Sequence, residues 1–156
     1  MNLIRQQLTY REALDRAREL CGRTEKCCND IALKCLDWGL SMDEAAKLTA
    51  SLVQDKFIDE HRYASSFVHD KFRFNKWGRI KLAYALRQKK IAEKNIREAL
   101  SLIPENTYHQ ILTDLLTLKA KSIKETDPYH RRNKLLVFAQ SRGFEADEIR
   151  RIIEKM

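Results

Sequence analysis

Residues 78–102, GRIKLAYALRQKKIAEKNIREALSL, have the apolar spacing of two short helices that meet at Ile91. Apolar residues in the same setting lie 51 residues earlier, at Leu40, and 53 residues later, at Phe144. We call Leu40, Ile91 and Phe144 the anchor residues. A spacing that recurs in this way along a chain indicates tandem structural repeats.

The match between repeats extends to both sides of each anchor residue. The matched positions are Ile31, Leu82 and Leu135 nine residues before the anchors, Ala45, Ile96 and Ile149 five residues after them, and Leu48, Ala99 and Ile152 eight residues after them. Small or apolar side chains at these helical spacings let the second and third helices of each repeat close on the first. An irregular helical bundle is the alternative.

Helix ends are marked along the whole chain. Side chains suited to accept hydrogen bonds from first-turn amides are Thr9 with Glu12, Ser41 with Glu44, and Asp127 before Pro128. Pro104 also suits a helix start, and Gly39 and Gly143 stand where a helix would end in a left-handed residue. These signals predict helices near 10–22, 25–38, 42–56, 59–75, 78–90, 92–102, 105–125, 128–142 and 145–155.

The predicted helices group in threes. We therefore expect an all-α fold of three tandem three-helix repeats, at residues 1–57, 58–103 and 104–156, that form an elongated, curved array. The composition agrees, because 44% hydrophobic residues suit a folded protein and only four Gly and two Pro interrupt helices. No apolar run reaches membrane-spanning length, and residues 1–7 do not resemble a signal peptide. We expect a cytoplasmic monomer without a membrane partner.

Four cysteines lie close together in the sequence, at Cys21, Cys27, Cys28 and Cys35. Zinc sites usually have paired ligands two to four residues apart, whereas Cys27 and Cys28 are adjacent and no histidine is near them. Cys28, Ile31 and Cys35 instead follow the spacing of a buried helical face. We predict buried thiols and no metal ligand, with a metal or redox site as the alternative.

Positive charge is concentrated in the middle of the chain. Residues 58–103 carry eleven basic and five acidic side chains, which is +6 of the net charge of +8. Between Lys71 and Lys90 there are eight basic residues and no acidic one. Because a solvated helical face usually mixes both signs, this segment predicts a surface that attracts an anionic partner.

Arg79, Arg87 and Lys90 lie within about 80° of one another on a helical projection and predict a basic stripe directed away from the core. A smaller cluster in the third repeat, preceded by Lys119, Lys121 and Lys124, extends the predicted surface. The predicted partner- or nucleic-acid-binding residues are Lys71, Arg73, Lys76, Arg79, Lys81, Arg87, Lys89, Lys90, Phe74, Trp77, Arg131, Arg132 and Lys134.

Aromatic residues are interleaved with the basic ones. We assign Phe72 and Tyr84 to the core, whereas Phe74 and Trp77, next to the helix break at Gly78, fit either the core or an interface. Aromatic rings among basic side chains suit stacking on bases or an interface contact.

Catalytic groupings are absent from the sequence. The four histidines are scattered, no glycine-rich phosphate loop is present, and Asp59 with Glu60 are first-turn acids that the helix dipole favours. We therefore predict no catalytic residue, no metal and no cofactor, and a regulatory binding protein in place of an enzyme.

Residues 57–91, FIDEHRYASSFVHDKFRFNKWGRIKLAYALRQKKI, resemble the RecX family of bacterial regulatory proteins. The resemblance depends on the acidic pair 59–60, on Tyr63-Ala64, Phe67-Val68 and Trp77-Gly78, and on Ile80, Leu82 and Leu86. Residues 141–153, SRGFEADEIRRII, look like the closing repeat of that family. Where the family usually has glycine before the second anchor, this chain has Lys90, which must adopt a left-handed conformation or end its helix differently.

The resemblance implies a three-repeat helical protein that binds the RecA filament in its groove and inhibits strand exchange, ATP hydrolysis and co-protease activity. DNA is then the weaker ligand. One alternative class is a module that binds DNA directly through the second helix of the middle repeat. Another is a helical adaptor for an acidic protein unrelated to recombination.

Overall fold

The computed structural model describes residues 7–156. The described chain forms nine α-helices and no strand: α1 Tyr10–Arg23, α2 Cys28–Asp37, α3 Met42–Gln54, α4 Glu60–Asn75, α5 Arg79–Gln88, α6 Glu93–Ser101, α7 Glu105–Ser122, α8 Pro128–Ser141 and α9 Ala146–Glu154. The all-α class is confirmed. None of these helices combines the length and the apolar character needed to cross a membrane.

The predicted helix starts depend on side-chain caps that the structure confirms. Thr9 accepts a hydrogen bond from the Glu12 amide while the Glu12 side chain accepts one from the Thr9 amide, and Ser41 and Glu44 form the same reciprocal pair. Each cap satisfies two amides that a helix start leaves without partners. Asp127 caps α8 directly before a proline whose missing N–H costs nothing there.

The helices pack in three groups, α1–α3, α4–α6 and α7–α9, as the contacts within each group show. All twelve positions matched between repeats, including the three anchor residues, are buried, with none more than 6% exposed. The predicted repeat pattern is therefore the pattern of the core. The repeat boundaries at 57/58 and 103/104 stay predictions, and residues 1–6 of the first repeat lie outside the described range.

The repeats do not contribute equally to the core. Residues of the first repeat form one apolar cluster together with Ile58, whereas the second and third repeats share another. Aromatic rings join the shared cluster: Phe72 is stacked on Tyr108 with 5.8 Å between ring centroids, and Tyr108 is tilted against Phe144 with 5.2 Å between centroids. The first repeat supplies one residue to this second cluster, Cys27, which precedes α2.

Each anchor residue follows a residue with a left-handed backbone. Gly39 has φ 89°, Gly143 has φ 91° and Lys90 has φ 60°. The lysine therefore adopts the conformation that glycine provides in the other two repeats, at a cost of roughly 1 kcal/mol. The anchors that follow are almost fully buried, and this burial holds the strained residue in place.

The cysteines are packing residues. Cys27 and Cys35 are fully buried, as is Ile31 between them, while Cys21 and Cys28 are partly buried, and all four thiols are free. Burial raises the pKa of Cys27 to about 11. Burial, followed by a hydrogen bond with Glu60, raises the pKa of Cys28 to about 12. Both thiols are therefore protonated near neutral pH, the form that neither attacks electrophiles nor binds metals well.

This environment predicts slow alkylation of Cys27 and Cys28. At pH 8 we expect both to react with iodoacetamide more slowly in the native protein than in the urea-unfolded chain, about 100-fold for Cys27 and about 1000-fold for Cys28, because the thiolate fractions are that much smaller. Mass spectrometry of the labelled peptides measures the rates, with and without a chelator. Equal native and unfolded rates would show reactive thiols, and acceleration by the chelator would show a bound metal.

Candidate partner-binding surface

The most basic part of the surface is built where α4 gives way to α5. Helix α4 ends at Asn75, and Lys76 follows in the left-handed conformation with φ 57°. The next amide, that of Trp77, donates to the Lys71 carbonyl at 3.3 Å. This turn closes the last helical carbonyls and directs the indole of Trp77 back over the end of α4.

Two lysine ammonium groups lie over the Trp77 ring. The Nζ atom of Lys81 is 4.6 Å from the ring centroid and that of Lys71 is 5.2 Å away. Phe67 packs edge-on against the indole at 6.2 Å. We call Lys71, Trp77 and Lys81 the tryptophan cluster. Cation–π contacts order both lysines without neutralising them, so their positive charge is still available to a partner.

The predictions for the aromatic residues are confirmed at one position and wrong at another. Phe72 is buried in the core, as predicted. Trp77 is half-buried against the core, and Phe74 is 78% exposed. The assignment of Tyr84 to the core is wrong, since its side chain is 64% exposed. On a helix, two residues span about 200°, so a residue two after the buried Leu82 lies on the opposite face.

The expected basic stripe of Arg79, Arg87 and Lys90 is not a free positive face. Arg87 Nε lies 2.6 Å from Glu93 Oε1. Arg79, whose side chain is only 22% exposed, bonds two glutamates of the third repeat. Its placement on a solvated stripe is wrong, because it lies about 60° from Leu82 on the projection and faces the neighbouring repeat.

Arg79 forms the centre of the joint between the second and third repeats. Its guanidinium lies 2.9 Å from Glu145 Oε2 and 2.7 Å from Glu105 Oε1, and is stacked 3.8 Å from the centre of the Tyr108 ring. The Arg79 amide donates to the Tyr108 hydroxyl at 3.1 Å, and that hydroxyl donates to Glu145. Burial raises the pKa of Tyr108, so the phenol stays protonated and able to donate.

Two glycines allow the backbones to meet at the same joint. The Gly78 amide donates to the Arg142 carbonyl at 2.7 Å, and the Ile80 amide donates to the Gly143 carbonyl at 3.0 Å. A Cβ atom at Gly78 would lie 2.4 Å from the Gly143 oxygen, and one at Gly143 would lie 2.3 Å from Lys81 Cβ. Neither position has room for a side chain.

The joint between the first and second repeats is polar. Lys89 Nζ lies 2.6 Å from Asp30 Oδ1, and Arg62 Nε lies 2.7 Å from Glu25 Oε1. Lys89 was among the predicted binding residues, and its charge is used here within the protein. Both acids come from the first repeat, outside the segment whose sequence has no acidic residue.

In the third repeat, one residue of the predicted basic cluster is used within the fold and two are exposed. Arg131 donates to the Ala120 carbonyl at 2.6 Å and to the Ile123 carbonyl at 3.1 Å, so it completes the end of α7. Arg132 and Lys134 are exposed. Lys134 borders a groove of about 630 Å³ between α7 and α8 that is also lined by Lys119 and Phe138.

Seven of the predicted basic residues, apart from Arg131 with its two bonds to backbone carbonyls, have no ion pair within residues 7–156. They make up a free basic set of Lys71, Arg73, Lys76, Lys81, Lys90, Arg132 and Lys134. Four of them, all except Lys90 and the two of the third repeat, come from the end of α4 and the start of α5. The tryptophan cluster is therefore the centre of the uncompensated positive charge.

Comparison with known proteins identifies the family to which the chain is similar. Residues 59–100 match the RecX second three-helix domain and residues 107–153 match the RecX third three-helix domain. The regulatory protein RecX of Clostridium botulinum (strain Eklund 17B / Type B) is 32% identical over 148 residues, which cover 93% of this chain and 67% of that protein. The regulatory protein RecX of Chlorobium phaeobacteroides is 31% identical over 146 residues, 94% of either chain.

The fold is also found among solved structures. The crystal structure of RecX from Lactobacillus salivarius superposes with a TM-score of 0.82 over 94% of this chain and 95% of that one, at 18% sequence identity. The three-repeat helical architecture is thus shared even where few residues are. From the repeat pattern, the domain matches and the identity to full-length relatives, this chain belongs to the RecX family of regulatory proteins.

Proposed function

We propose that this protein binds RecA assembled on DNA and inhibits its recombinase, ATPase and co-protease activities. In that role it would modulate recombination, DNA repair and the SOS response without catalysing a reaction itself. Family membership supports the regulatory role. The observation that carries the proposal for this chain is the tryptophan cluster, where two lysines are ordered on an indole without a neutralising acid.

The charge distribution supports an anionic partner. A filament of protein on DNA offers phosphates and acidic side chains along its length, and a linear array of repeats offers several contacts to it. Contacts that are modest individually reinforce one another through effective concentration. Bare DNA offers the phosphates alone, and we therefore propose it as the weaker ligand.

A second candidate function is direct DNA binding, and Trp77 is the observation that favours it. A half-buried indole flanked by Lys71 and Lys81 suits stacking on an unpaired base beside its phosphate. Binding of that kind releases counterions and weakens steeply as salt rises. A protein contact is less sensitive to salt, and this difference separates the two candidates.

The experiment that tests the proposal is RecA ATPase on single-stranded DNA, with increasing amounts of this protein. Inhibition is expected below one molecule per RecA protomer, because each molecule contacts several protomers. Unchanged ATPase at a several-fold excess would contradict the proposal. A parallel strand-exchange assay tests whether the recombinase activity falls together with ATP hydrolysis.

The tryptophan cluster has its own prediction. Replacing Lys71→Glu together with Lys81→Glu should weaken binding to the filament about tenfold or more, because two ordered positive charges become repulsive. Fluorescence anisotropy of a labelled filament measures the affinity.

The matched control reverses two exposed basic residues on the outer repeats, Arg11→Glu with Lys155→Glu. The net charge then changes equally, but the tryptophan cluster is untouched. If the control weakens binding as much as the cluster variant does, total charge is responsible and the cluster has no special role.

A further inference from the structure

The second helix of every repeat exposes an apolar side chain at the same position. Seven residues before the anchors lie Leu33, Tyr84 and Val137. Their exposed fractions are 56%, 64% and 65%. Isolated exposed apolar residues are common on protein surfaces. Three at one repeat position are not explained by that background, and we call them the outward residues.

The equivalence follows from the fold. In each repeat the outward residue comes two positions after a buried core residue, so it lies about 200° around the helix from the core. Because α2, α5 and α8 occupy the same place in their repeats, the same helix face is presented three times. Packing within the chain does not account for these side chains, since each leaves more than half its surface in solvent.

Each outward residue lies beside basic side chains. Leu33 borders a groove of about 470 Å³ between the first two repeats. Its charged lining is mixed, with Lys26, Lys34 and Asp37 beside the Lys89–Asp30 ion pair. Tyr84 has Lys81 and Arg87 three residues to either side, on the same helix face, and of these two Lys81 has no ion pair within residues 7–156 whereas Arg87 is paired with Glu93. Val137 borders the groove of the third repeat together with Lys119 and Lys134. The basic side chains that have no ion pair within residues 7–156 are Lys34 beside Leu33, Lys81 beside Tyr84, and Lys119 and Lys134 beside Val137. A complementary surface would therefore offer an apolar recess with at least one acidic side chain at its edge.

We propose that the outward residues are three equivalent contacts through which the array binds successive identical subunits of a protein filament, one contact from each repeat. The inference rests on the proposed function, in which that filament is RecA on DNA. Three equivalent contacts require three equivalent recesses, and a filament of identical subunits supplies them. Two of the three side chains are aliphatic and cannot stack on bases, so the face fits protein better than nucleic acid.

The test replaces all three outward residues, Leu33→Ser, Tyr84→Ser and Val137→Ser, and measures affinity for RecA filaments formed on single-stranded DNA. Each single change should weaken binding about fivefold, with Tyr84→Ser the largest, because tyrosine is enriched among residues that dominate interfaces. The triple variant should lose about 100-fold, since the contacts are linked through effective concentration.

The matched control is a second triple variant, Met42→Ser, Leu102→Ser and Leu118→Ser. These apolar residues are 78%, 63% and 69% exposed, and they lie outside the second helices. Circular dichroism checks that both variants keep their helices, which is expected because all six side chains are largely in solvent. The control should bind the filament as the unaltered protein does.

The outcomes separate the inference from the function. If the unaltered protein binds no filament, the proposed function falls, and the inference falls with it. If it binds but both triple variants bind equally well, only the inference is overturned. An equal loss of affinity for bare single-stranded DNA in the outward variant would mean that the face contacts nucleic acid, which also overturns it.

Discussion

Replacing Gly143 by alanine is expected to lower the free energy of unfolding by about 3 kcal/mol. Two costs combine in that figure: a left-handed backbone at φ 91° for a residue with a Cβ atom, and overpacking of a filled space. The new methyl carbon would lie 2.3 Å from Lys81 Cβ and 2.6 Å from the Lys81 amide nitrogen. The backbone cannot yield easily, because the carbonyls of residues 142 and 143 accept hydrogen bonds from the opposite repeat.

Urea denaturation followed by circular dichroism measures this effect. The control is Gly22→Ala, which lies near the end of α1 with no atom within 4 Å of the new Cβ position. That change should leave stability equal or raise it by up to about 1 kcal/mol, because alanine favours a helix over glycine. Equal stability of Gly143→Ala and the unaltered protein would show that the joint between the second and third repeats is not closely packed.

Replacing Arg79 by glutamate is expected to cost about 2 to 4 kcal/mol. The change removes the cation that bonds Glu145 and stacks on Tyr108, and leaves two carboxylates facing each other in a half-buried site. The contact with Glu105 contributes less, because that side chain is 81% exposed and screened by water. Arg79 is therefore unsuitable for testing partner binding by charge reversal, since its loss damages the fold.

Arg87→Glu is the comparison for this prediction, because it makes the same chemical change on the same helix. Arg87 is more than half exposed and pairs with an exposed Glu93, so stability should change by no more than about 0.5 kcal/mol. Thermal melts of both variants, monitored by circular dichroism, give the comparison. A similar small change in both would mean that Arg79 does not hold the repeats together.

The fold is predictable from this sequence because the signals that predict it, apolar spacing and helix caps, are local and recur along the chain. Burial at the anchor residues follows from apolar spacing within about 20 residues, and helix starts follow from caps within four. The same pattern appears three times, so a weak signal in one repeat is supported by the other two. The lysine at position 90 shows the strength of this arrangement, because it adopts the conformation that the repeat requires even without glycine.

The distribution of free surface charge is less predictable, because basic side chains of one repeat form ion pairs with acidic side chains of another. Lys89 pairs with an acid 59 residues away, and Arg79 with one 66 residues away. A segment without acidic residues in the sequence is thus partly neutralised in the folded protein. The positive charge at the α4–α5 turn is still predictable from the sequence. There Lys71 and Lys81 contact an aromatic ring and are not paired with an acidic side chain.

The outward residues were missed for a related reason. Tyr84 follows a core residue by two positions, and an aromatic ring in an apolar segment resembles a core residue when helix faces are not compared. Leu33 and Val137 at the matched positions carry the signal that corrects this, because an apolar residue on the solvent face in all three repeats indicates a contact surface.

The central claim is that the protein binds RecA on DNA through protein contacts as well as through charge. A salt titration of two affinities, for the RecA filament and for bare single-stranded DNA, tests it most directly when run beside a RecA ATPase dose curve. Affinity for bare DNA should fall steeply with salt, filament affinity should fall less and persist at physiological salt, and inhibition should appear below one molecule per protomer. Equal slopes, with inhibition only when the protein is abundant enough to coat the DNA, would show simple competition for DNA and contradict the claim.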